Sequence, residues 1–210
     1  MGHGLFVTLE GGEGAGKSTL ARTLKGKLES EGRAVVLTRE PGGTPGAEQI
    51  RELLVRGDAD RWSAMTEALL FYAARVDHVE KVIRPEVAAG RIVISDRFAD
   101  STLAYQGAAG GVPRERLKAL HEIALGNFQP ALTLLIDIPP ETGLSRTKGR
   151  DGIEARFESK ALAFHARLRA AYHALAESEP GRFVVLDGGQ PPDVIAQQAL
   201  SAILERLGDG

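Results

Sequence analysis

The sequence predicts a three-layer α/β domain, a five-stranded parallel sheet held between helices. Two observations carry that expectation. Five short β-rich runs, Leu5 to Glu10, Ala34 to Arg39, Arg91 to Asp96, Leu132 to Asp137 and Arg182 to Asp187, alternate with segments of helical periodicity. Continuous Val/Ile/Leu runs mark strands buried on both faces, and strand–helix alternation implies parallel pairing through right-handed crossovers. The second observation is a glycine-rich turn, GGEGAGKS from Gly11 to Ser18, set where the first strand gives way to the first helix. No internal repeat and no low-complexity tract interrupts this pattern, and 210 residues suit one domain spanning 1–210 with room for a small insertion.

The composition excludes several classes of function. A formal charge of −2 gives no polybasic footprint, so neither nucleic acid nor an anionic membrane is expected as a partner. There is no cysteine, which removes disulfides and thiolate metal sites and suits a reducing cytoplasm, and the five histidines lack zinc-type spacing. The first strand begins almost at once, without the basic start and long apolar region of a signal peptide. Apolar stretches such as Leu132 to Ile136 are far too short to span a bilayer. A cytoplasmic protein is the expectation.

The turn has the spacing G-x-x-x-x-G-K-[ST], with Gly11 and Gly16 as the fixed glycines. Glycine accepts positive φ and close approach, which lets the backbone curl around an anion and converge its N–H groups at a helix N-terminus. This is a phosphate-binding loop, and with its flanking elements it predicts a P-loop NTPase fold. Gly11, Gly12, Glu13, Gly14, Ala15, Gly16, Lys17, Ser18 and Thr19 are the expected ATP-binding residues. Lys17 is placed to reach the β- and γ-phosphates, and the Ser18 hydroxyl to bind Mg²⁺.

Ligands of open parallel sheets bind beyond the carboxyl ends of the strands, which gathers the following loops onto the same rim. The second strand empties into Arg39-Glu40-Pro41-Gly42-Gly43, readable as a connector or as a pocket wall, before a helix around Ala47 to Val55 carrying Arg51. Arg51 is either a solvated charge or a phosphate contact. From Arg61 to Ala89 runs one long helical pattern, with Leu69, Leu70, Ala73, Val76 and Val79 in its apolar set. Phe71, Arg75 and His78 share a face, so Phe71 and Arg75 can stack on a planar base and bond its edge, or serve as core and surface charge. The third strand delivers Asp96 and Arg97 to the rim, where Asp96 can hold Mg²⁺, directly or through water, and Arg97 an acceptor phosphate. Asp137, followed by two prolines, is a second metal candidate that also fits a structural cap. A helical stretch then carries Ser101, Thr102, Tyr105 and Gln106, a polar and aromatic set suited to a nucleoside. Between about 143 and 156, glycines alternate with Arg146, Lys148, Arg150 and Arg156, the composition of a lid that closes on an anion. Phe157, Ala161, Phe164, Leu168, Ala171 and Leu175 follow at helical spacing, anchoring it. The late LDGGQ from Leu186 to Gln190 superficially matches a transporter ATPase signature, but Pro191–Pro192 and the absence of any later acid-bearing strand exclude that.

Two phosphate-binding elements, a base-reading face and a basic lid describe phosphoryl transfer between two phosphorylated molecules. Such transfer needs alignment and charge neutralisation more than covalent chemistry, so a phosphate acceptor requires no general base. Lys17, Arg97, Arg146, Lys148, Arg150 and Arg156 are the candidate catalytic cations. A nucleotide switch or a nucleic-acid-stimulated ATPase shares the loop, but there is no N-K-x-D tetrad and no basic surface.

These motifs, together with TREPGGT at Thr38, LLFYAAR ending in Arg75 and DRFADSTLAYQG at Asp96, resemble those of the bacterial thymidylate kinases over nearly the whole chain. The resemblance implies that ATP and Mg²⁺, held by Ser18 and Asp96, phosphorylate dTMP to dTDP. It implies substrate binding by Glu13, Pro41, Arg51, Phe71, Arg75, Arg97, Ser101, Thr102, Tyr105 and Gln106. Phe71 would stack on thymine, Arg75 bond its edge, Arg97 and Arg51 hold the monophosphate, Tyr105 crowd the 2′ position and Glu13 approach the 3′-hydroxyl. A homodimer through the helix around Phe71 is also implied. Some members of the family carry arginine directly after the acid of the loop, where this chain has Gly14; the basic lid resembles the arrangement that supplies the cation instead. Phe98 stands where histidine or tyrosine is common.

Overall fold

The computed structural model describes residues 4–58, 60–147 and 161–208. Its sheet contains β1 (Leu5–Glu10), β2 (Val35–Arg39), β3 (Ile92–Asp96), β4 (Leu132–Asp137) and β5 (Phe183–Asp187), all parallel, in the order β2-β3-β1-β4-β5. β1 lies at the centre, and all six of its residues are buried, as a strand covered on both faces requires. Its register sets Thr8 beside Ser95 and Thr133, and Leu9 beside Asp96 and Leu134. The ends of β1 and β3 therefore sit side by side, which brings Gly11 next to Arg97.

One face of the sheet presents Val7, Leu9, Ile92, Ile94, Leu132, Leu134 and Ile136 to α1 (Lys17–Ser30) and, beyond the last strand, to the C-terminal helix Pro192–Leu207. Leu24 and Leu28 of α1 are wholly buried there, and truncating such a residue to alanine costs about 2–5 kcal/mol. The opposite face, built on Phe6, Val93, Leu135 and Phe183, is covered by α3 (Ala64–His78), α4 (Arg84–Ala88), α5 (Ala99–Thr102), α6 (Arg114–Leu125) and α8 (Leu162–Ser178), while α2 (Pro45–Val55) packs on α3 and α7 (Pro140–Thr147) on α8. The C-terminal helix is α9. α2 starts on Thr44, whose hydroxyl accepts from the Ala47 N–H at 3.0 Å, with Pro45 in the first turn; α3 starts on Ser63, which accepts from Thr66 N–H at 3.2 Å.

The long helical pattern after Arg61 is not one α-helix. α3 passes into a π-helical turn, Val79–Ile83, and then α4. Pro85 explains the change, because its ring lacks an N–H and crowds the carbonyl four residues earlier, which a wider turn relieves. The buried stripe of α3 is Ala68, Tyr72, Arg75 and the following Val79, whereas Leu69 is 50 % exposed and Ala73 faces out, against the expected apolar set. Similarly, the helix after Arg97 is α5 continued by a π-helical turn, Leu103–Ala109. Phe98 is fully buried, edge-on to Phe6 at 5.0 Å, so packing occupies the place of a polar handle.

Candidate functional site

The phosphate loop follows from its glycines. Gly11, Gly14 and Gly16 have φ of 137°, 67° and 97°, values open to glycine and strained for other residues. A Cβ on Gly14 would run into the carbonyl of Gly143 on α7, and a Cβ on Gly143 into the carbonyl of Glu13, so loop and helix meet backbone to backbone. Gly16 caps α1 without a side chain, leaving the first N–H groups of the helix directed outward. Lys17 Nζ donates to Gly12 O at 2.9 Å and Gly11 O at 3.2 Å, which holds the ammonium over the loop. Ser18 Oγ donates to Asp96 Oδ2 at 2.7 Å, joining the two expected metal residues.

Glu13, Gly14, Ala15, Gly16, Lys17, Ser18, Thr19 and Asp96 line an open cleft of about 840 Å³ that Arg51, Arg97 and Arg146 also line, whereas Gly11 and Gly12 line a small neighbouring cavity with Asp137 and His165. Arg51 is buried, and its Nη1 donates to Pro41 O at 2.9 Å. Of the expected lid cations, Arg146 lies on α7; Lys148, Arg150 and Arg156 lie outside the described residues. Asp137 does not join Ser18 and Asp96. Arg169 Nε and Nη2 bond its two oxygens at 2.7 and 2.8 Å, His173 Nε2 stands 3.1 Å from Oδ1, and the Arg169 bonds hold the carboxyl below its ordinary range. Its physical role is to tie α8 to the end of β4.

A second pocket opens beside the loop, lined by Glu13, Pro41, Phe71, Arg75, Arg97, Ser101, Thr102, Tyr105 and Gln106, together with Glu40, Val55 and Phe98. Every expected substrate residue except Arg51 is there. Arg97 is the hinge between pocket and cleft. Its φ of 74° is the one positive value at a non-glycine among the described residues, a strain of about 1–3 kcal/mol that surrounding contacts must hold. Nη1 donates to Gly11 O at 3.1 Å and to the hydroxyls of Ser101 and Tyr172 at 3.3 Å; Nη2 reaches Glu13 Oε1 at 3.3 Å. The guanidinium also stacks 4.9 Å over the Tyr105 ring.

Glu13 Oε1 further accepts from Tyr105 OH at 2.6 Å, while Oε2 faces His165 Nδ1 at 3.4 Å. Burial alone would push this carboxyl up, but the nearby His165 imidazole, the charges of Arg97 and Lys17 and the Tyr105 hydroxyl outweigh it and hold the group down at about 2. Glu10, at the end of β1, is the opposite case. It accepts from Phe98 N at 2.8 Å, Ser101 Oγ at 2.6 Å and Tyr172 OH at 2.9 Å, yet burial and the neighbouring Asp100 push it up to about 7.

Across the pocket, Arg75 is 1 % exposed. Nε donates to Glu40 Oε2 at 2.6 Å, and Nη2 to Phe98 O at 3.2 Å and Thr102 Oγ1 at 3.1 Å. Its guanidinium packs 4.5 Å from the Tyr72 ring. Nη1 is buried and has no acceptor among the described residues. Glu40 is itself steadied by His78 Nδ1 at 3.1 Å, and Gln106 Nε2 is directed by Glu67 at 2.9 Å. The Ser101 hydroxyl is spent on Glu10, so its contribution to the pocket is its place in the wall rather than a free donor.

Sequence reasoning passed over Glu10, Glu40, Glu67, His165 and Tyr172. An acid closing an otherwise apolar strand was a usable signal for Glu10, and the seven-residue spacing of His165 and Tyr172 puts both on one face of α8. The rest depends on contacts that no local pattern displays.

Comparison with known proteins agrees with this geometry. A family model described as thymidylate kinase matches residues 9–199. The chain is 55 % identical over 208 residues to a thymidylate kinase of Caulobacter vibrioides, covering 99 % of this chain and 100 % of that protein. It is 52 % identical over 206 residues to one of Ruegeria pomeroyi, covering 98 % and 97 %. A crystal structure of thymidylate kinase from Ehrlichia chaffeensis superposes with a TM-score of 0.78 at 28 % identity, covering 95 % of this chain and 98 % of that one. On fold, site and sequence together, the chain belongs to the thymidylate kinase family.

Proposed function

We propose that this chain transfers the γ-phosphoryl group of ATP to the phosphate of dTMP, giving dTDP and ADP. The observation that carries the reading is the position of Arg97, which bonds the phosphate loop at Gly11 O and simultaneously walls the second pocket. A monophosphate held by that guanidinium lies next to a triphosphate in the loop, and alignment of this kind supplies much of the rate of phosphoryl transfer.

In this reading Gly11 to Thr19 cradle the donor phosphates, and Lys17 neutralises charge on the moving group. Arg146 extends toward the same cleft; Lys148, Arg150 and Arg156 are proposed to add to it. Phe71 flanks the base, the uncommitted Nη1 of Arg75 donates to a base carbonyl, and Thr102 and Gln106 complete that end. Tyr105 and Glu13, joined to each other, face the sugar. Arg51, from the cleft side, assists Arg97 on the acceptor phosphate. Ser18 and Asp96 present only oxygen, as a hard cation requires, and among the described residues no cluster of three metal-ligating side chains competes with them. They would hold Mg²⁺, which when bound with ATP screens the phosphate charges.

Residues 1–210 are read as one catalytic domain acting in the cytoplasm on small molecules, without nucleic acid or membrane. Among the described residues no helix is long and apolar enough to cross a bilayer. A homodimer is proposed through α3 and the α2 and α6 helices that pack on it, which expose Leu53, Leu69 and Ile123 at 41, 50 and 85 %. Sedimentation should give twice the chain mass; a monomer at micromolar concentration removes this assembly. The activity is tested with a panel of nucleoside monophosphates and ADP release as readout. dTMP should lead the panel, and equal rates on dTMP and AMP would sink the assignment.

A further inference from the structure

Helix α8 sends two side chains into the site from one face. Tyr172 is buried, and its hydroxyl bonds Glu10, Ser101 and Arg97. Two turns earlier, His165 is equally buried, with Phe164 edge-on to its ring at 5.6 Å. Leu168 between them is 1 % exposed, and Arg169 is fixed on Asp137, so the helix cannot shift without breaking several contacts at once. The imidazole is thus held firmly against the tip of the phosphate loop.

What it faces is one particular oxygen. Glu13 Oε1 already accepts from Tyr105 and Arg97, whereas Oε2 is buried and makes no hydrogen bond among the described residues. His165 Nδ1 stands 3.4 Å from it, inside ion-pair range and slightly beyond a good hydrogen bond, a gap of the kind that closes when a ligand is bound. Because a carboxylate oxygen only accepts, the proton of a neutral imidazole belongs on Nδ1. The oxygen retains a further acceptor site after receiving that bond, since each carboxylate oxygen takes two.

We propose that His165 is a positioning residue for acceptor choice: through Nδ1 it holds Glu13 Oε2, and so fixes the carboxylate in the orientation that meets the sugar 3′-hydroxyl of the monophosphate and sets the preference for a 3′-hydroxylated over a 3′-deoxy acceptor. This rests on the dTMP reading above and extends it to a residue of α8 that meets the loop through the Glu13 side chain.

The experiment compares kcat/KM for dTMP and for its 3′-deoxy counterpart, at saturating ATP, in the unsubstituted chain, His165→Leu, His165→Asn and Glu13→Gln. His165→Leu should lose about 10- to 100-fold on dTMP, the effect of one hydrogen bond to a charged group, with little change on the 3′-deoxy acceptor. Asparagine, whose amide nitrogen replaces Nδ1, should restore most of the preference. Glu13→Gln should abolish the preference, and adding His165→Leu to it should cost nothing further in that ratio. Parallel losses on both acceptors, or an unchanged ratio in His165→Leu, would overturn the inference while leaving the kinase assignment intact. An unsubstituted chain that ignores dTMP but phosphorylates another monophosphate overturns the assignment and this inference with it.

Discussion

Glu10 and Glu13 stand three residues apart at the two ends of one strand-to-loop turn, both buried, and their carboxyl groups are driven in opposite directions. Glu10 points back into the sheet, where its partners are a backbone N–H and two hydroxyls and its nearest charged neighbours include Asp100. Glu13 lines the second pocket, with Arg97, Lys17 and His165 around it. What separates them is the neighbours: at Glu13 the His165 imidazole and the added charge of Lys17 help to outweigh burial, whereas at Glu10 the Asp100 carboxylate adds to it. The interior end of the turn is therefore built to be held and the outer end to be used, with Arg97 and Ser101 bridging them.

The largest effect comes from removing Arg97, whose charge acts on both carboxyls. Arg97→Ala should weaken dTMP binding by about 10²-fold or more while ATP binding persists, because on the proposed reading the acceptor phosphate loses a charged hydrogen-bonding partner. It should also move Glu13 upward toward the behaviour of Glu10. Calorimetric titration with each nucleotide checks the first point, and an unchanged dTMP isotherm removes Arg97 from the clamp.

Glu10→Gln acts next in size, on stability. With Glu10 raised from the ordinary 4.5 to about 7, the folded chain binds an extra proton between those values. Its contribution is complete below pH 4.5 and is lost as pH rises through 7, by about 3 kcal/mol at roughly 1.4 per unit. The amide cannot ionise, and the Ser101 and Tyr172 hydroxyls can rotate to accept from it. Urea unfolding across pH 4–8 should thus show Glu10→Gln gaining on the wild type as pH rises; a constant difference contradicts the raised carboxyl. Glu13 has the reverse sign, its contribution present above pH 4.5 and lost as pH falls toward 2.

Ser101→Ala should have the smallest effect. It removes one donor that lowers Glu10, so the carboxyl should ionise at still higher pH, at a cost of about 1–2 kcal/mol. A shift of the stability profile to lower pH would contradict the hydrogen bond as drawn.

Much of this architecture was legible because its signals are local. Five apolar runs specify the strands, and the spacing of Gly11, Gly16 and Lys17 specifies the loop, since each pattern reports the geometry of its own segment. The pairing of Glu13 with Tyr105 and of Glu10 with Tyr172 was not legible, the partners being 92 and 162 positions apart. Asp137 illustrates the same limit. Its place at a strand end fits a metal ligand, and only the packing of α8 shows that Arg169 has claimed it. Leu69 misled for a different reason: helical periodicity is shared by a core stripe and an exposed apolar one, and the two differ only in what lies opposite.

The reciprocal contact of Gly14 and Gly143 restricts the paths by which this sequence can diverge. A side chain at 14 meets the Gly143 carbonyl and one at 143 meets the Glu13 carbonyl, so an arginine entering the loop at 14 requires α7 to retreat in the same lineage. A single substitution meets the clash before it gains the cation. The two ways of supplying that cation are thereby separated by a coordinated change, and with the loop settled against Gly143 a cation at position 14 is closed to this chain, whereas Arg146 of α7 lines the cleft.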